Sequence, residues 1–157
     1  QQAAALCPAI PTPWLNMGLV LAQDLHRYSE GRAAFTEVIL RDPSNAEGFS
    51  CRGVTCQEMG DLDAAMSDFE TAIQLDPRHP NALSNLGGLL MQCGRMEAAI
   101  DAFRRSVETD PRDYINRFNY ALALAKSGDE AQAMGVLRKD PRALRMWHQR
   151  RRAARSR

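Results

Sequence analysis

The sequence predicts an all-α solenoid built from antiparallel helix pairs, and three recurring residue classes lead to that fold class. Prolines that follow an aspartate, glycines and phenylalanines all return with the same period. They are Pro43, Pro77 and Pro111; Gly60, Gly94 and Gly128; and Phe35, Phe69 and Phe103, each set spaced by 34 residues. A period in this range is the signature of repeats that bury a shared core only when neighbouring repeats stack.

Each repeat predicts two helices. Between successive prolines, apolar residues recur at spacings of three and four, which is typical of amphipathic helices. The glycine falls between the two helical segments, where a left-handed residue ends a helix, and Asp61 and Asp129 suit the start of the second helix. The second helix ends at Asp-Pro because proline disfavours helical geometry in the residue before it. The same proline is compatible with the start of the next helix.

Small residues recur at the two positions where the helices of a pair must cross closely. One position holds Gly18, Gly53, Gly87 and Ala121, and the other holds Gly31, Ala65, Ala99 and Ala133. The predicted organisation is residues 1–10 as the end of a preceding repeat or a linker, 11–45, 46–79, 80–113 and a shortened 114–140 as four repeats, and 141–157 as a basic capping helix and tail.

This pattern resembles the tetratricopeptide repeat (TPR) family, whose signature is W-x2-L-G-x2-Y followed by A-x3-F, A and P. The resemblance covers about residues 8–141 and implies a right-handed superhelix. The first repeat carries one extra residue near "LHRYSEG", and Pro141 arrives four residues early. The residues that carry the match are Trp14, Met17, Gly18, Leu21, Gly31, Phe35, Val38 and Pro43; Phe49, Arg52, Gly53, Cys56, Ala65, Phe69, Ala72 and Pro77; Leu83, Leu86, Gly87, Leu90, Ala99, Phe103, Ser106 and Pro111; and Arg117, Tyr120, Ala121, Leu124, Ala133 and Leu137.

Composition excludes several classes of protein. No apolar run approaches the ~20 residues of a membrane helix. The cysteines and histidines are scattered, without the paired spacing of a metal site or a disulfide framework, so we expect no metal and no cofactor. Isolated cysteines favour a reducing compartment, and we expect a cytoplasmic protein. The chain starts at Gln1 without a basic leader, which indicates a fragment of a longer protein.

The resemblance implies that the first helix of each repeat lines a concave groove that binds a peptide or protein segment. Asn16, Asn85 and Asn119 occupy one groove position, with Cys51 in the second repeat. A carboxamide both donates and accepts hydrogen bonds, so such a row can hold a peptide backbone. It resembles the asparagine ladder in the repeat arms of protein N-acetylglucosamine transferases. The alternative is that asparagine is the family's commonest residue there and helps the fold.

Other groove positions supply further candidate contacts. Leu15 and Phe118 are predicted apolar contacts and Ser84 a polar one, although Phe118 fits equally a packing place beneath the C-terminal helix. Chaperone adaptors of the family grip a terminal carboxylate with lysine and arginine. The matching positions hold Ser50, Val54, Ile115 and Asn119, and only Asn85 fits that pattern, so we do not expect a heat-shock-chaperone adaptor.

The C-terminal segment is strongly basic. Residues 142–157 hold seven arginines and no acid, whereas residues 1–141 hold 13 basic and 19 acidic residues, a balance of −6. We expect a capping helix in which Leu144 and Trp147 cover the last repeat and the arginines are solvated. The alternative is that Arg150, Arg151 and Arg152 contact an anionic partner, either nucleic acid, lipid or an acidic protein.

We therefore expect a scaffold that binds protein or peptide and is not an enzyme. No catalytic constellation is visible, and Asp63, Asp68 and Asp101 are interpreted as residues of solvated helix faces. The alternative is the repeat arm of a larger enzyme, such as a protein glycosyltransferase, that positions its protein substrate.

Overall fold

The computed structural model describes residues 12–155, which fold into two compact units with the chain boundary between Pro77 and Arg78. The N-terminal unit contains α1 (Thr12–Leu19), a π-helical segment (Val20–Asp24), α2 (Tyr28–Arg41), α3 (Ala46–Glu58) and α4 (Leu62–Leu75). The C-terminal unit contains α5 (Pro80–Gln92), α6 (Met96–Thr109), α7 (Tyr114–Lys126), α8 (Glu130–Leu137) and α9 (Pro141–Arg155). No strand occurs in the described residues. The predicted all-α repeat class is confirmed.

Within each unit, helices that are consecutive in sequence pack against each other. In the N-terminal unit α1 packs on α2, α2 on α3 and α3 on α4. In the C-terminal unit α5 packs on α6, α6 on α7 and α7 on α8, and α9 covers both α7 and α8. The expectations for residues 1–10, including a preceding repeat, lie outside the described residues.

The turns inside the helix pairs follow the predicted chemistry. Gly60, Gly94 and Gly128 have φ angles of +81°, +75° and +98°, which residues with a Cβ atom rarely adopt. The side chain of Asp61 then accepts a hydrogen bond from the amide of Ala64 at 3.2 Å, and Asp129 accepts one from Gln132 at 2.8 Å. In the second, third and fourth repeats the two helices are thus separated by a left-handed glycine, and the helices after Asp61 and Asp129 begin with a capped first turn.

The helix crossings depend on a glycine that faces a phenylalanine. A Cβ atom added to Gly53 would lie 2.7 Å from Cε1 of Phe69, and one added to Gly87 would lie 2.9 Å from Cδ1 of Phe103. Both phenylalanines are at most 1% exposed. The fourth repeat replaces the pair with Ala121 and Leu137, both completely buried. A larger residue on one helix is therefore accompanied by a smaller residue on the other, as close packing requires.

The extra residue of the first repeat is absorbed by the π-helical segment Val20–Asp24. A π-helical turn holds one residue more than an α-helical turn, so the turn shifts along the sequence by one position. His26 takes the place of the left-handed glycine, with a φ angle of +52°, and its Nδ1 lies 3.2 Å from the Tyr28 hydroxyl. A non-glycine residue in this conformation is strained.

The C-terminal helix covers the last repeat. Trp147 is 6% exposed and Ala143 is completely buried, and both belong to a core cluster with Ala121, Leu124 and Leu137. Helix α8 has only eight residues, whereas α6 has 14, and α9 occupies the surface of α7 and α8. The predicted capping helix is confirmed.

Candidate functional site

The three candidate asparagines lie on the first helices of their repeats. Asn16 is exposed on α1, and Asn85 and Asn119 are half-buried on α5 and α7. Because α5 and α7 are in contact, Asn85 and Asn119 lie on neighbouring helices of the C-terminal unit. Within residues 12–155 none of the three carboxamides forms a hydrogen bond, so their donors and acceptors are not used by the described fold.

Asparagines at other positions do contribute to the fold. The side-chain oxygen of Asn45 caps α3 by accepting a hydrogen bond from the amide of Gly48 at 2.9 Å, and its Nδ2 donates to Asp42 at 3.2 Å. Asn116 is 4% exposed, and its Nδ2 is buried without a partner among the described residues. The carboxamides of Asn16, Asn85 and Asn119 therefore differ from that of Asn45, because no hydrogen bond of the described structure depends on them.

Cys51 occupies the equivalent position on α3 and is half-buried. Its Sγ donates a hydrogen bond to a carboxylate oxygen of Glu47 at 3.4 Å. Burial, together with the negative charge and the hydrogen bond of Glu47, raises the pKa of the Cys51 thiol to about 12. The group is therefore a neutral thiol at physiological pH, with its single donor already engaged, and it cannot replace a carboxamide.

The remaining candidate contacts divide between surface and core. Leu15 on α1 and Ser84 on α5 are half-buried, with part of each side chain open to solvent. Phe118 is 5% exposed and packs in the core cluster with Leu137 of α8 and Trp147 of α9. The structure thus places Phe118 beneath the C-terminal helix, the second of its two predicted roles, where it offers little surface to a partner.

A carboxylate clamp has no cation at its predicted positions. Ser50 is 3% exposed, Val54 is half-buried and Ile115 is 47% exposed. None of these side chains carries a charge, and an uncharged pocket holds a terminal carboxylate weakly.

The arginines at the C-terminus lie on the exposed surface of α9. A guanidinium nitrogen of Arg151 lies 3.8 Å from a carboxylate oxygen of Glu130, and its Cζ lies 5.6 Å from the centre of the Trp147 ring. Arg150 and Arg152 are also exposed. At least one of the three arginines therefore has partners within the C-terminal unit, which fits a capping helix with a solvated outer face.

Sequence reasoning missed an ion pair in the N-terminal unit. Arg52 was assigned to a packing position and Asp68 to a solvated face, and the second assignment is wrong because Asp68 is 5% exposed. Arg52 donates to Asp68 through Nε at 2.8 Å and through Nη2 at 2.7 Å. The sequence indicates this pair by comparison of the repeats: Arg52 and Asp68 are both charged, whereas the residues 34 positions later, Leu86 and Ala102, are both apolar.

Comparison with known proteins agrees with the predicted family. Residues 57–116 match a family model described as tetratricopeptide repeat. The crystal structure of MamA is similar, with a TM-score of 0.75 and 19% identity over 92% of this chain and 82% of MamA. The MamA fragment 41-end from Desulfovibrio magneticus RS-1 has a TM-score of 0.72 and 20% identity over 87% of this chain and 76% of that one.

The first TPR of Spaghetti (RPAP3), solved with the HSP90 peptide SRMEEVD, is a further similar structure. Its TM-score is 0.72, with 17% identity over 80% of this chain and 99% of that one. No curated protein matches this chain significantly. The family model thus identifies tetratricopeptide repeats over residues 57–116, and the solved structures show that the described residues have the same helical-repeat fold.

The described residues lack two further kinds of feature. No helix within residues 12–155 has both the length and the apolar character needed to cross a membrane. Over the same residues, no cluster of histidine, cysteine, aspartate and glutamate has a geometry that would hold a metal ion.

Proposed function

We propose that this tetratricopeptide-repeat chain is a protein-interaction module that binds an extended peptide segment of another protein. The observation that carries the proposal is that the carboxamides of Asn16, Asn85 and Asn119 form no hydrogen bond within the described residues. Each carboxamide has two donors and an acceptor, which match the carbonyl and amide groups of a peptide backbone. Leu15 and Ser84, adjacent in sequence to Asn16 and Asn85, add an apolar and a polar contact.

The proposed ligand is an internal segment and not a C-terminus. The RPAP3 domain is similar in fold and was solved with an HSP90 peptide, but the clamp positions of this chain hold no cation at Ser50, Val54 or Ile115. Backbone recognition by carboxamides needs no terminal carboxylate. The proposal therefore predicts that blocking the C-terminus of a bound peptide as an amide leaves its affinity unchanged.

We also propose that the chain acts by binding and not by catalysis. Burial raises the pKa of both the Cys51 and the Cys56 thiols, so each is protonated at neutral pH. A protonated thiol is a poor nucleophile. The alternative, a repeat arm that presents substrates to the catalytic domain of a larger enzyme, uses the same surface and differs only in what the bound protein undergoes.

The test is affinity capture from a lysate with three forms of the protein, followed by mass spectrometry. The forms are the wild type, the triple variant Asn16→Ala/Asn85→Ala/Asn119→Ala, and a control variant with the same number of carboxamides removed from α4, α8 and α9. The control is Gln74→Ala/Gln132→Ala/Gln149→Ala, all of them exposed. Far-UV circular dichroism first establishes that all three forms have equal helicity.

The expected result is a set of proteins that the wild type and the control capture and the asparagine variant does not. If the asparagine variant and the control capture the same proteins, the carboxamides do not form the binding surface. In that case the variant Arg150→Gln/Arg151→Gln/Arg152→Gln tests whether the exposed arginines of α9 bind an anionic partner instead.

A further inference from the structure

A polar cavity of about 400 Å³ lies between α2, α3 and α4 of the N-terminal unit. This is within the size range of small-molecule sites. Its walls are Arg32, Thr36, Arg52, Cys56, Ala64, Ser67 and Asp68. None of the candidate peptide contacts lines it, so the cavity is separate from the proposed binding surface.

One guanidinium of the cavity is held in a fixed orientation. Asp68 binds Nε and Nη2 of Arg52 at 2.8 and 2.7 Å, and Nη1 lies 3.4 Å from the hydroxyl of Thr36. The Phe49 ring also lies against this group, with 5.5 Å between its centre and Cζ. Three of the five N–H groups of Arg52 thus have partners and two remain, on a side chain that is 24% exposed.

The second guanidinium belongs to Arg32, which is exposed on α2 and has no ion-pair partner within residues 12–155. Both arginines act electrostatically on the buried thiol of Cys56, each lowering its pKa against the larger effect of burial. Both also line the same cavity. Because Cys56 remains a neutral thiol, two arginines and one aspartate leave the cavity with a net charge of +1.

The same positions in the next repeat have ordinary packing residues. Leu86 corresponds to Arg52, Ala102 to Asp68, Leu90 to Cys56 and Met66 to Arg32, each 34 residues later. The N-terminal unit thus has a charged and partly open contact where the residues 34 positions later are apolar. Departures of this kind from the local packing rule are expected where a protein has a functional site.

We propose that this cavity binds a phosphate group, which Arg52 and Arg32 hold from two sides. The planar guanidinium presents paired N–H donors that match two oxygens of a phosphate, and the second guanidinium adds a positive charge that Asp68 does not neutralise. Asp68 orients Arg52 and does not contact the ligand. The hydroxyl of Ser67 is available as a further donor at the rim, whereas the hydroxyl of Thr36 already donates to the backbone carbonyl of Arg32 at 2.8 Å.

The experiment follows the arginine side-chain Nε–H signals by two-dimensional 15N–1H NMR during titration with inorganic phosphate, at constant ionic strength set with chloride. The Arg52 signal, protected by Asp68, is the reporter. The test variant is Arg32→Gln, which removes an exposed side chain without an ion pair and so leaves the melting temperature unchanged. The matched control is Arg145→Gln, which removes the same charge from exposed α9.

We expect a saturable shift of the Arg52 signal in the wild type. The variant Arg32→Gln should weaken binding by about tenfold, and Arg145→Gln by less than about twofold. Absence of a shift at Arg52 would overturn the proposal. Equal weakening in both variants would also overturn it, because phosphate binding would then depend only on the overall positive charge of the protein.

A parallel titration with N-acetyl-O-phosphoserine amide distinguishes the two sources of a phosphate group. Tighter binding than inorganic phosphate supports a phosphorylated side chain as the natural ligand, and equal binding supports the free ion. The titrations use phosphate alone, so their outcome does not depend on the proposed peptide surface.

Discussion

Substituting alanine for glycine at Gly87 and at Gly88 should have opposite effects on stability, although the two residues are neighbours on α5. A Cβ atom at Gly87 would lie 2.9 Å from both Cδ1 and Cε1 of Phe103, and 3.0 Å from Cγ. A Cβ atom at Gly88 would have no heavy atom within 4 Å. Comparison of the two variants therefore separates the steric requirement of the helix crossing from the conformational effect of glycine.

The magnitude follows from two opposing contributions. Replacing a glycine with alanine inside a helix stabilises it by about 0.5–1 kcal/mol, and this gain applies at both positions. At Gly87 the ring of a phenylalanine that is 1% exposed cannot move aside freely, and overpacking of this kind costs about 1–3 kcal/mol. Gly88→Ala should thus raise the free energy of unfolding, and Gly87→Ala should lie about 1–3 kcal/mol below Gly88→Ala.

Urea denaturation gives the free energy of unfolding by linear extrapolation. The chain has two tryptophans, Trp14 in the N-terminal unit and Trp147 in the C-terminal unit. In a Trp14→Phe background the fluorescence of Trp147 reports on the C-terminal unit, which contains both glycines. Equal free energies of unfolding for Gly87→Ala and Gly88→Ala would refute the role assigned to the Gly87–Phe103 contact.

The fourth repeat suggests a compensating substitution for the same contact. There Ala121 and Leu137 replace the glycine–phenylalanine pair, and both are completely buried. The double variant Gly87→Ala/Phe103→Leu should therefore be more stable than the sum of its single effects predicts, by about 0.5–3 kcal/mol. Additive effects within about 0.5 kcal/mol would mean that the two positions are independent.

Three further predictions concern other parts of the fold. Phe69→Ala should destabilise the N-terminal unit by about 3–5 kcal/mol, and an unaltered melting temperature would contradict the assigned repeat register. The Arg142 guanidinium lowers the pKa of Asp140 to about 2. The ionised Asp140 therefore stabilises the fold above the unfolded pKa of about 4, and this stabilisation is lost as the pH falls towards 2. Asp140→Asn should flatten this acid dependence of the melting temperature, and an unchanged slope would exclude Asp140 as its source. His26→Gly should raise the free energy of unfolding by up to about 1 kcal/mol, because the relief of left-handed strain exceeds the loss of the contact with Tyr28, whereas destabilisation would show that this contact dominates.

The sequence by itself determined the helical repeat, its register and the residues at the helix crossings. These features are local or strictly periodic, so single residue types predict them. Glycine marks a left-handed turn, proline follows the second helix, and a small residue lies opposite Phe69 or Phe103. The capping helix could be predicted for the same reason, since the pattern fails at Arg150 and Arg151, where a further repeat would need apolar residues.

Only the tertiary structure decided how side chains on different helices meet. The ion pair of Arg52 with Asp68 joins residues 16 positions apart, and its burial depends on how α3 packs against α4. The core position of Phe118 depends in the same way on α9, because the groove face and the packing face of a helix lie only one residue apart in sequence. Periodicity predicts which residues share a helix face, whereas the neighbouring helix determines whether that face is a surface, a core or a cavity.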